Sequence, residues 1–169
     1  MTNETARALE ELHSGDSVAL WEAAKLLIDA NDAGAIPQLL ALLIQGTDDE
    51  RRVAAASVLG TWRVAEASPT LRGILDDRNE TPALREQAAE SLGYLADHEA
   101  RDVLIRNLSD DHADVVFSCA FALRFVGIPD DVTPLTRLAT DSTLTNSYGR
   151  AVALEARQAI EEINWRSEQ

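Results

Sequence analysis

The sequence predicts an all-α fold, a right-handed α-solenoid made of about five stacked pairs of helices. Three observations predict it: a segment that recurs along the chain, apolar residues at helical spacing, and a composition poor in aromatic residues. Hydrophobic residues make up 46% of the 169 residues, whereas aromatic residues make up only 5%. The core volume must therefore come from Leu, Ala, Val and Ile, and abundant alanine favours closely packed helices.

The recurring segment is clearest at three places in the middle of the chain. These copies span residues 51–60, 84–93 and 115–124. Their anchor residues Leu59, Leu92 and Leu123 are 33 and 31 residues apart. Weaker copies occur at 19–27 and 152–160. A fixed period of this length is typical of a protein in which each unit stacks on its neighbours.

Each unit is predicted to contain two helices, because apolar residues recur at i, i+3 and i+4 in both of its halves. The first helices are expected near residues 3–13, 34–45, 66–76, 99–108 and 131–140. The second helices are expected near residues 17–30, 49–63, 81–96, 112–126 and 148–164. Pro37 and Pro69 suit a first helical turn. No segment reads as a strand.

Paired aspartates lie between the two helices of a unit, where the second helix needs an N-cap. These pairs are Asp48-Asp49, Asp76-Asp77 and Asp110-Asp111. The second helices are expected to turn a common set of apolar positions toward the core. That set is Ala55, Val58, Leu59, Trp62, Leu84, Ala88, Leu92, Leu95, Val115, Cys119, Leu123 and Val126. The whole chain, residues 1–169, is predicted to form a single domain.

The repeated pattern carries a resemblance to a known family. Asp49…Arg52…Ala55-Ala56…Leu59-Gly60, and again Leu84-Arg85…Ala88-Ala89…Leu92-Gly93, resembles HEAT repeats, in particular the subtype named after phycobilisome lyases. The resemblance is strong over 34–126 and weaker toward both ends. In the fourth copy, Val116 replaces the repeat arginine and Arg124 replaces the glycine. The resemblance implies the fold, but such repeats are similar to scaffolds, bilin lyases, a metal-dependent hydroxylase and DNA glycosylases.

The charge of the chain excludes several classes of partner. Acidic residues outnumber basic ones by 29 to 15, for a net charge of −14. Nucleic acid is not expected as a partner, because its phosphates would be repelled. A basic protein partner is favoured, although a salty cytoplasm would also select an acidic surface. No apolar run is long enough to cross a membrane, and the polar N-terminus does not resemble a targeting signal, so a cytoplasmic location is predicted.

No catalytic, cofactor-binding or metal-binding residue is predicted. The resemblance implies that a hydroxylase of this type would carry several His-Glu pairs to hold two irons. Here His98-Glu99 is the one such pair, and it is expected in a turn. Cys119 occupies a core-facing alanine position and has no histidine beside it in the sequence. It is therefore interpreted as a small buried residue.

The second-helix positions that face away from the core are the candidate binding site. A helix advances by about 100° per residue, so two such positions per helix form ladders across the repeats. The predicted partner-binding residues in a concave groove are Trp21, Lys25, Val53, Glu86, Glu90, Phe117, Phe121 and Leu154. Phe117 and Phe121 are expected to be exposed apolar anchors. The alternative is that the polar stretch Thr140–Gly149 folds over them.

These observations predict a non-enzymatic interaction module, or scaffold, that binds a basic or amphipathic protein or peptide and needs no cofactor. The apolar anchors would supply affinity, and the acidic residues would assist approach. Two alternatives remain open. One is a bilin-lyase-like protein or chaperone that handles a tetrapyrrole, which would make the chain an enzyme of the bilin-attachment type. The other is an acidic immunity or inhibitor protein directed against a basic toxin.

Overall fold

A computed structural model describes all residues from Met1 to Gln169. It contains ten α-helices and no strand, so the predicted all-α solenoid of five helix pairs is confirmed. The helices are α1 Asn3–Ser14, α2 Ser17–Ala30, α3 Ile36–Gln45, α4 Asp49–Thr61, α5 Ser68–Asp76, α6 Pro82–Leu95, α7 Arg101–Asn107, α8 Ala113–Val126, α9 Val132–Asp141 and α10 Val152–Ser167. None of these helices is both long enough and apolar enough to span a lipid bilayer.

The helix boundaries differ from the sequence expectation in two respects. The first helix of every unit after the first is preceded by a single 3-10 turn. These turns are Ala33–Ala35, Ala65–Ala67, His98–Ala100 and Pro129–Asp131. The last helix begins at Val152 rather than at 148. The residues before it cannot continue the helix because Gly149 adopts a left-handed φ of 74° and the chain reverses there.

The second helices form the centre of one continuous core of 39 buried residues. Small residues let these helices approach closely. A methyl group added at Gly60 of α4 would lie 2.6 Å from the side chain of Ser91 in α6. One added at Gly93 of α6 would lie 2.9 Å from the Cα of Ala122 in α8. The repeat glycine is therefore required where consecutive second helices touch.

Trp62 and Leu95 are the two predicted core residues that are only partly buried. Both stand at the C-terminal end of a second helix, where packing is looser. Trp62 is the C-cap of α4, and its indole Nε1 donates a 3.2 Å hydrogen bond to the carbonyl of Ile28. The other ten predicted core positions are buried.

The prediction that the paired aspartates act as N-caps is correct only for α4. There the Asp48 carboxylate accepts a 3.1 Å hydrogen bond from the backbone N–H of Arg51. The N-cap residues of α6 and α8 are Thr81 and His112 instead. Asp76-Asp77 lies too far before α6 to cap it, whereas Asp110 accepts a 2.9 Å hydrogen bond from the backbone N–H of the α8 N-cap residue, His112. Asp110 also forms a buried ion pair with Arg85.

The repeat arginines join consecutive units. In α4, the Arg52 guanidinium donates to the carbonyl of Leu43 at 3.2 Å and pairs with Glu80 at 2.6 Å. In α6, Arg85 likewise donates to the carbonyl of Leu75 and pairs with Asp110. Each guanidinium thus links the end of its own first helix to the segment that leads into the next second helix. The hydrogen bond from Arg85 holds the pKa of Asp110 below its usual range, although burial alone would raise that pKa.

Candidate functional site

A cavity of about 680 Å³ opens along the second-helix face, across α2, α4, α6 and α8. We call this cavity the groove. Its walls are formed by Trp21, Val53, Ala83, Glu86, Gln87, Glu90, Tyr94, Phe117, Ser118, Phe121, Tyr148 and Arg150. Of the eight predicted binding residues, Lys25 and Leu154 are exposed outside it, and the other six line it. Their role in binding a partner stays a prediction.

Two glutamates of α6 point into the groove from consecutive turns of the helix. The Glu90 carboxylate accepts hydrogen bonds of 3.2 Å from the Tyr94 hydroxyl and from the Gln87 amide. Glu86 is half-buried and has neither a hydrogen-bond donor nor an ion-pair partner. An unpaired carboxylate removed from water is energetically unfavourable, and such a group favours a cationic ligand.

The surroundings of Glu86 make it an acid–base group at neutral pH. Burial raises the pKa of its carboxyl group to about 7, and the negative charges of Asp114 and Glu90 contribute to that rise, against the opposing effect of Arg150. Burial also raises the pKa of the Tyr94 phenol, with Glu90 as the next cause. Glu86 can therefore accept or release a proton near pH 7, as a general acid or base must.

Phe121 forms part of an aromatic wall beside these carboxylates. Its ring is half-buried and meets Tyr94 edge to face, with ring centroids 5.5 Å apart. A second edge contact joins it to Phe125 at 5.2 Å. The wall provides the flat apolar surface that an aliphatic chain or a cation can pack against.

The expectation that Phe117 is exposed is wrong, because only 4% of the residue is accessible. Its ring packs with Val116 and Val152, and the guanidinium of Arg150 lies over it at 4.3 Å from the ring centroid. Arg150 belongs to residues 142–151, the segment between α9 and α10, which we call the strap. The alternative expectation placed the cover in Thr140–Gly149, whereas Arg150 and Val152, which contact the Phe117 ring, come directly after that stretch.

The strap is held by its backbone. The N–H of Ser147 donates a 2.7 Å hydrogen bond to the Asp114 carboxylate. The buried side chain of Asn146 accepts from the N–H groups of Tyr148 at 3.1 Å and Arg150 at 2.9 Å. These contacts place Tyr148 and Arg150 at the rim of the groove, where the sequence pattern did not indicate them. No local pattern identifies them, whereas Tyr94 could have been found at helical spacing after Glu90.

The opposite end of the groove is also acidic and aromatic. The indole Nε1 of Trp21 donates a 3.2 Å hydrogen bond to the Glu50 carboxylate, which also accepts from Ser17 at 2.6 Å. Trp21 remains 43% exposed. The groove as a whole combines carboxylates with aromatic faces, which is the chemistry that binds alkylammonium groups.

The side chains of the chain do not assemble a metal site. No three side chains from His, Cys, Asp and Glu come together in a way that could hold a metal ion. His98 and Glu99 lie in a 3-10 turn, and Glu99 pairs with Arg72 at 2.5 Å. This donor set does not fit the irons that the HEAT-type hydroxylase resemblance implies. Cys119 is fully buried, and burial raises the pKa of its thiol, which disfavours a reactive thiolate.

Comparison with known proteins identifies the repeats. A family model described as HEAT repeats matches residues 36–124 and 77–158. The complex of CpcE and CpcF of phycocyanin lyase from Nostoc includes a chain with a TM-score of 0.72 and 21% identity, covering 90% of this chain and 97% of that chain. Human deoxyhypusine hydroxylase in complex with glycerol gives a TM-score of 0.60 at 21% identity, covering 95% and 62%. These structural likenesses show the fold alone.

Sequence relatives point to one class of enzyme. The deoxyhypusine hydroxylase of Gallus gallus is 39% identical over 69 residues, which cover 41% of this chain and 23% of the relative. The human enzyme of that name is 32% identical over 91 residues, covering 52% and 30%. That of Candida glabrata is 32% identical over 111 residues, covering 64% and 34%. The chain thus spans about a quarter to a third of the length of these relatives.

These relatives correct the functional prediction. They are consistently named as an enzyme, so the prediction of a non-enzymatic interaction module or scaffold is wrong. The bilin-lyase alternative is less supported, since the phycocyanin lyase likeness shows only the fold. The toxin-inhibitor alternative gains no support from enzyme relatives.

Proposed function

Because the chain belongs to the HEAT-repeat family, and its curated relatives are enzymes named for deoxyhypusine, we propose that it is the substrate-recognition part of an enzyme acting on an alkylammonium side chain. The substrate class is a protein-borne lysine derivative of the deoxyhypusine type. The observation that carries the proposal is the unpaired carboxylate of Glu86 in an aromatic-walled groove.

The chemistry of such a side chain complements the groove. Deoxyhypusine is a lysine derivative whose long aliphatic side chain carries two amino groups, both protonated at neutral pH. The carboxylates of Glu86 and Glu90 offer partners for an ammonium group, one helical turn apart. The rings of Tyr94 and Phe121 offer an apolar surface for the aliphatic segment.

The electrostatics of the groove also favour a cation. Glu86 lies near Asp114 and Glu90, so that three carboxylates repel one another in a half-buried place. A ligand cation would relieve that repulsion and would lower the pKa of Glu86 as it binds. Binding would therefore release a proton near neutral pH, and affinity would rise with pH through about 7.

The residues of this chain do not assemble the iron-binding donor set of the hydroxylase type. Their part in the proposed enzyme is to bind the aliphatic stem, to hold the ammonium group and to exchange a proton at Glu86. The protein surface that carries the modified lysine is expected to be basic, because the net charge of the chain is −14.

The proposal is tested with a short uncharged peptide that carries one deoxyhypusine residue, followed by NMR titration. The same peptide with norleucine at that position keeps an aliphatic stem without the amino groups. We expect saturable shifts at α6 and α8 with the first peptide and none with the second. Glu86→Gln should weaken binding at least about tenfold, as loss of a charged partner does.

A matched control is Glu66→Gln, which removes the same charge from an exposed residue outside the groove. This variant should bind like the unmodified protein. Equal binding of the norleucine peptide, or equal losses in the two variants, would remove the case for an alkylammonium site at Glu86.

A further inference from the structure

Arg150 differs from Arg124, the other arginine that lies over an aromatic ring of the groove, in having no ionic partner. Its guanidinium lies 4.3 Å from the centroid of the Phe117 ring and forms no ion pair or side-chain hydrogen bond. Arg124, by contrast, lies 5.8 Å from the Phe121 centroid and also contacts Glu155 and Gln158, each at 3.4 Å. Arg150 is therefore held at the groove chiefly by one aromatic face.

We infer that Arg150 is a selectivity residue: it occupies the cation place between the Phe117 ring and the acidic wall of the groove, and an ammonium ligand must displace it. The inference rests on the proposed function, since it concerns the same site. Arg150 thus acts as a competitor built into the strap: like the ligand, it carries a positive charge and packs against an aromatic ring.

The position of Arg150 shows that this end of the groove accepts a cation. A planar cation above an aromatic ring is attracted by the negative face of the ring. Its charge also acts on Glu86 and Tyr94, where it opposes the rise in their pKa values. Glu86, Glu90 and Asp114 are the carboxylates near this end of the groove, and none of them forms an ion pair with Arg150. A ligand that pairs directly with Glu86 would therefore gain a contact that Arg150 does not make.

The strap can release the Arg150 side chain without losing its own structure. The Arg150 backbone N–H is bound by Asn146, and the strap is tied to α8 through Ser147 and Asp114. None of these contacts involves the guanidinium.

Substitution of Arg150 is expected to strengthen ligand binding. Loss of a cation–π contact at an exposed site shifts an equilibrium by roughly two- to fivefold. Removal of the repulsion between two cations adds to this. We expect Arg150→Gln to bind the deoxyhypusine peptide about three to ten times more tightly than the unmodified protein. The comparison is made well above about pH 7, where Glu86 is ionised in both proteins although loss of Arg150 raises its pKa. Arg150→Lys keeps a cation on the strap, so its affinity for the peptide should increase little.

Arg137→Gln is the matched control, because it removes the same charge from an exposed residue of α9 outside the groove. Weaker binding in Arg150→Gln, or a gain no larger than that of Arg137→Gln, would overturn the inference. So would an equal gain in Arg150→Lys. If the unmodified protein binds but Arg150→Gln shows no gain, the proposed function stands and the inference fails. If no variant binds the peptide, the proposed function itself fails.

Discussion

The joints between repeats are built differently in the middle of the solenoid and near its C-terminal end. In α4 and α6, Arg52 and Arg85 reach across to an acidic residue of the following unit. In α8 the corresponding residue is Val116, which is 1% exposed and packs against Val152. An ionic joint is thus replaced by an apolar one between α8 and the first residue of α10.

The second departure from the repeat pattern has a similar effect. Gly60 and Gly93 allow direct contact between consecutive second helices. Arg124 stands at this position in α8 and meets α10 through Glu155 and Gln158. The regular part of the chain therefore supplies close helix packing and, from α6, the groove carboxylates of Glu86 and Glu90. The irregular part supplies Phe117, Phe121 and the strap residue Arg150 to the same groove.

Breaking the ionic joint should produce the largest loss of stability. Arg85→Ala would leave the Asp110 carboxylate buried with Arg78 as its only ion-pair partner. We expect the free energy of unfolding in urea to fall by about 3–5 kcal/mol. Arg78→Ala removes the half-exposed arginine that also pairs with Asp110. The free energy of unfolding should then fall by no more than about 1 kcal/mol. Equal losses in the two variants would contradict the assignment of Arg85 as the joint.

A comparison of buried apolar residues probes the two regions directly. Leu92→Ala removes a fully buried side chain from the regular part and should destabilise by about 2–5 kcal/mol. Phe117→Ala should lose about 3–4 kcal/mol, because its ring is buried against Val116 and Val152. Urea unfolding followed by circular dichroism gives both values.

The matched variant Phe121→Ala should lose less than Phe117→Ala, since its ring is only half-buried. An unfolding free energy unchanged by Phe117→Ala would mean that the ring is not buried in solution. A loss at Phe121 larger than at Phe117 would reverse the assignment of the two rings.

The smallest effect concerns the pH dependence of stability. The pKa of Glu86 is about 7 in the folded protein, against an ordinary value of 4.5 in the unfolded chain. The folded state therefore binds more protons between these values, and the contribution of Glu86 to stability declines as pH rises from about 4.5 to 7. In Glu86→Gln this decline should disappear. Its melting temperature at pH 8 should exceed that of the unmodified protein by roughly 1–3 °C, since the group is partly solvated.

Thermal unfolding from about pH 5 to about pH 8 measures this difference, with Glu66→Gln as the charge-matched control variant. Parallel curves for Glu86→Gln and the unmodified protein would show that Glu86 titrates near its ordinary range. The acid–base role proposed for this residue would then be withdrawn, while the contact with an ammonium group could still be measured by titration.

Sequence periodicity predicted the helices well, because the spacing of apolar residues that marks a helix lies entirely within the helical segment itself. The spacing of Leu59, Leu92 and Leu123 reports the stacking of the units, and alternation around each helix reports which side faces the core. The same rotation placed Glu86 and Glu90 on the side away from the core. This placement did not depend on any other segment of the chain, since Glu86 and Glu90 belong to the same helix.

The sequence by itself thus determined the repeat, the ten helices and the α6 face that carries the acidic groove residues. The tertiary structure decided that Phe117 is buried, that Asp110 is an ion-pair partner rather than a cap, and that Arg150 enters the groove. Each of these depends on a contact between residues that are distant in the chain. The periodicity of a helix shows which residues share each of its faces. Which other segment packs against a given face depends on contacts between distant parts of the chain, which form only in the folded protein.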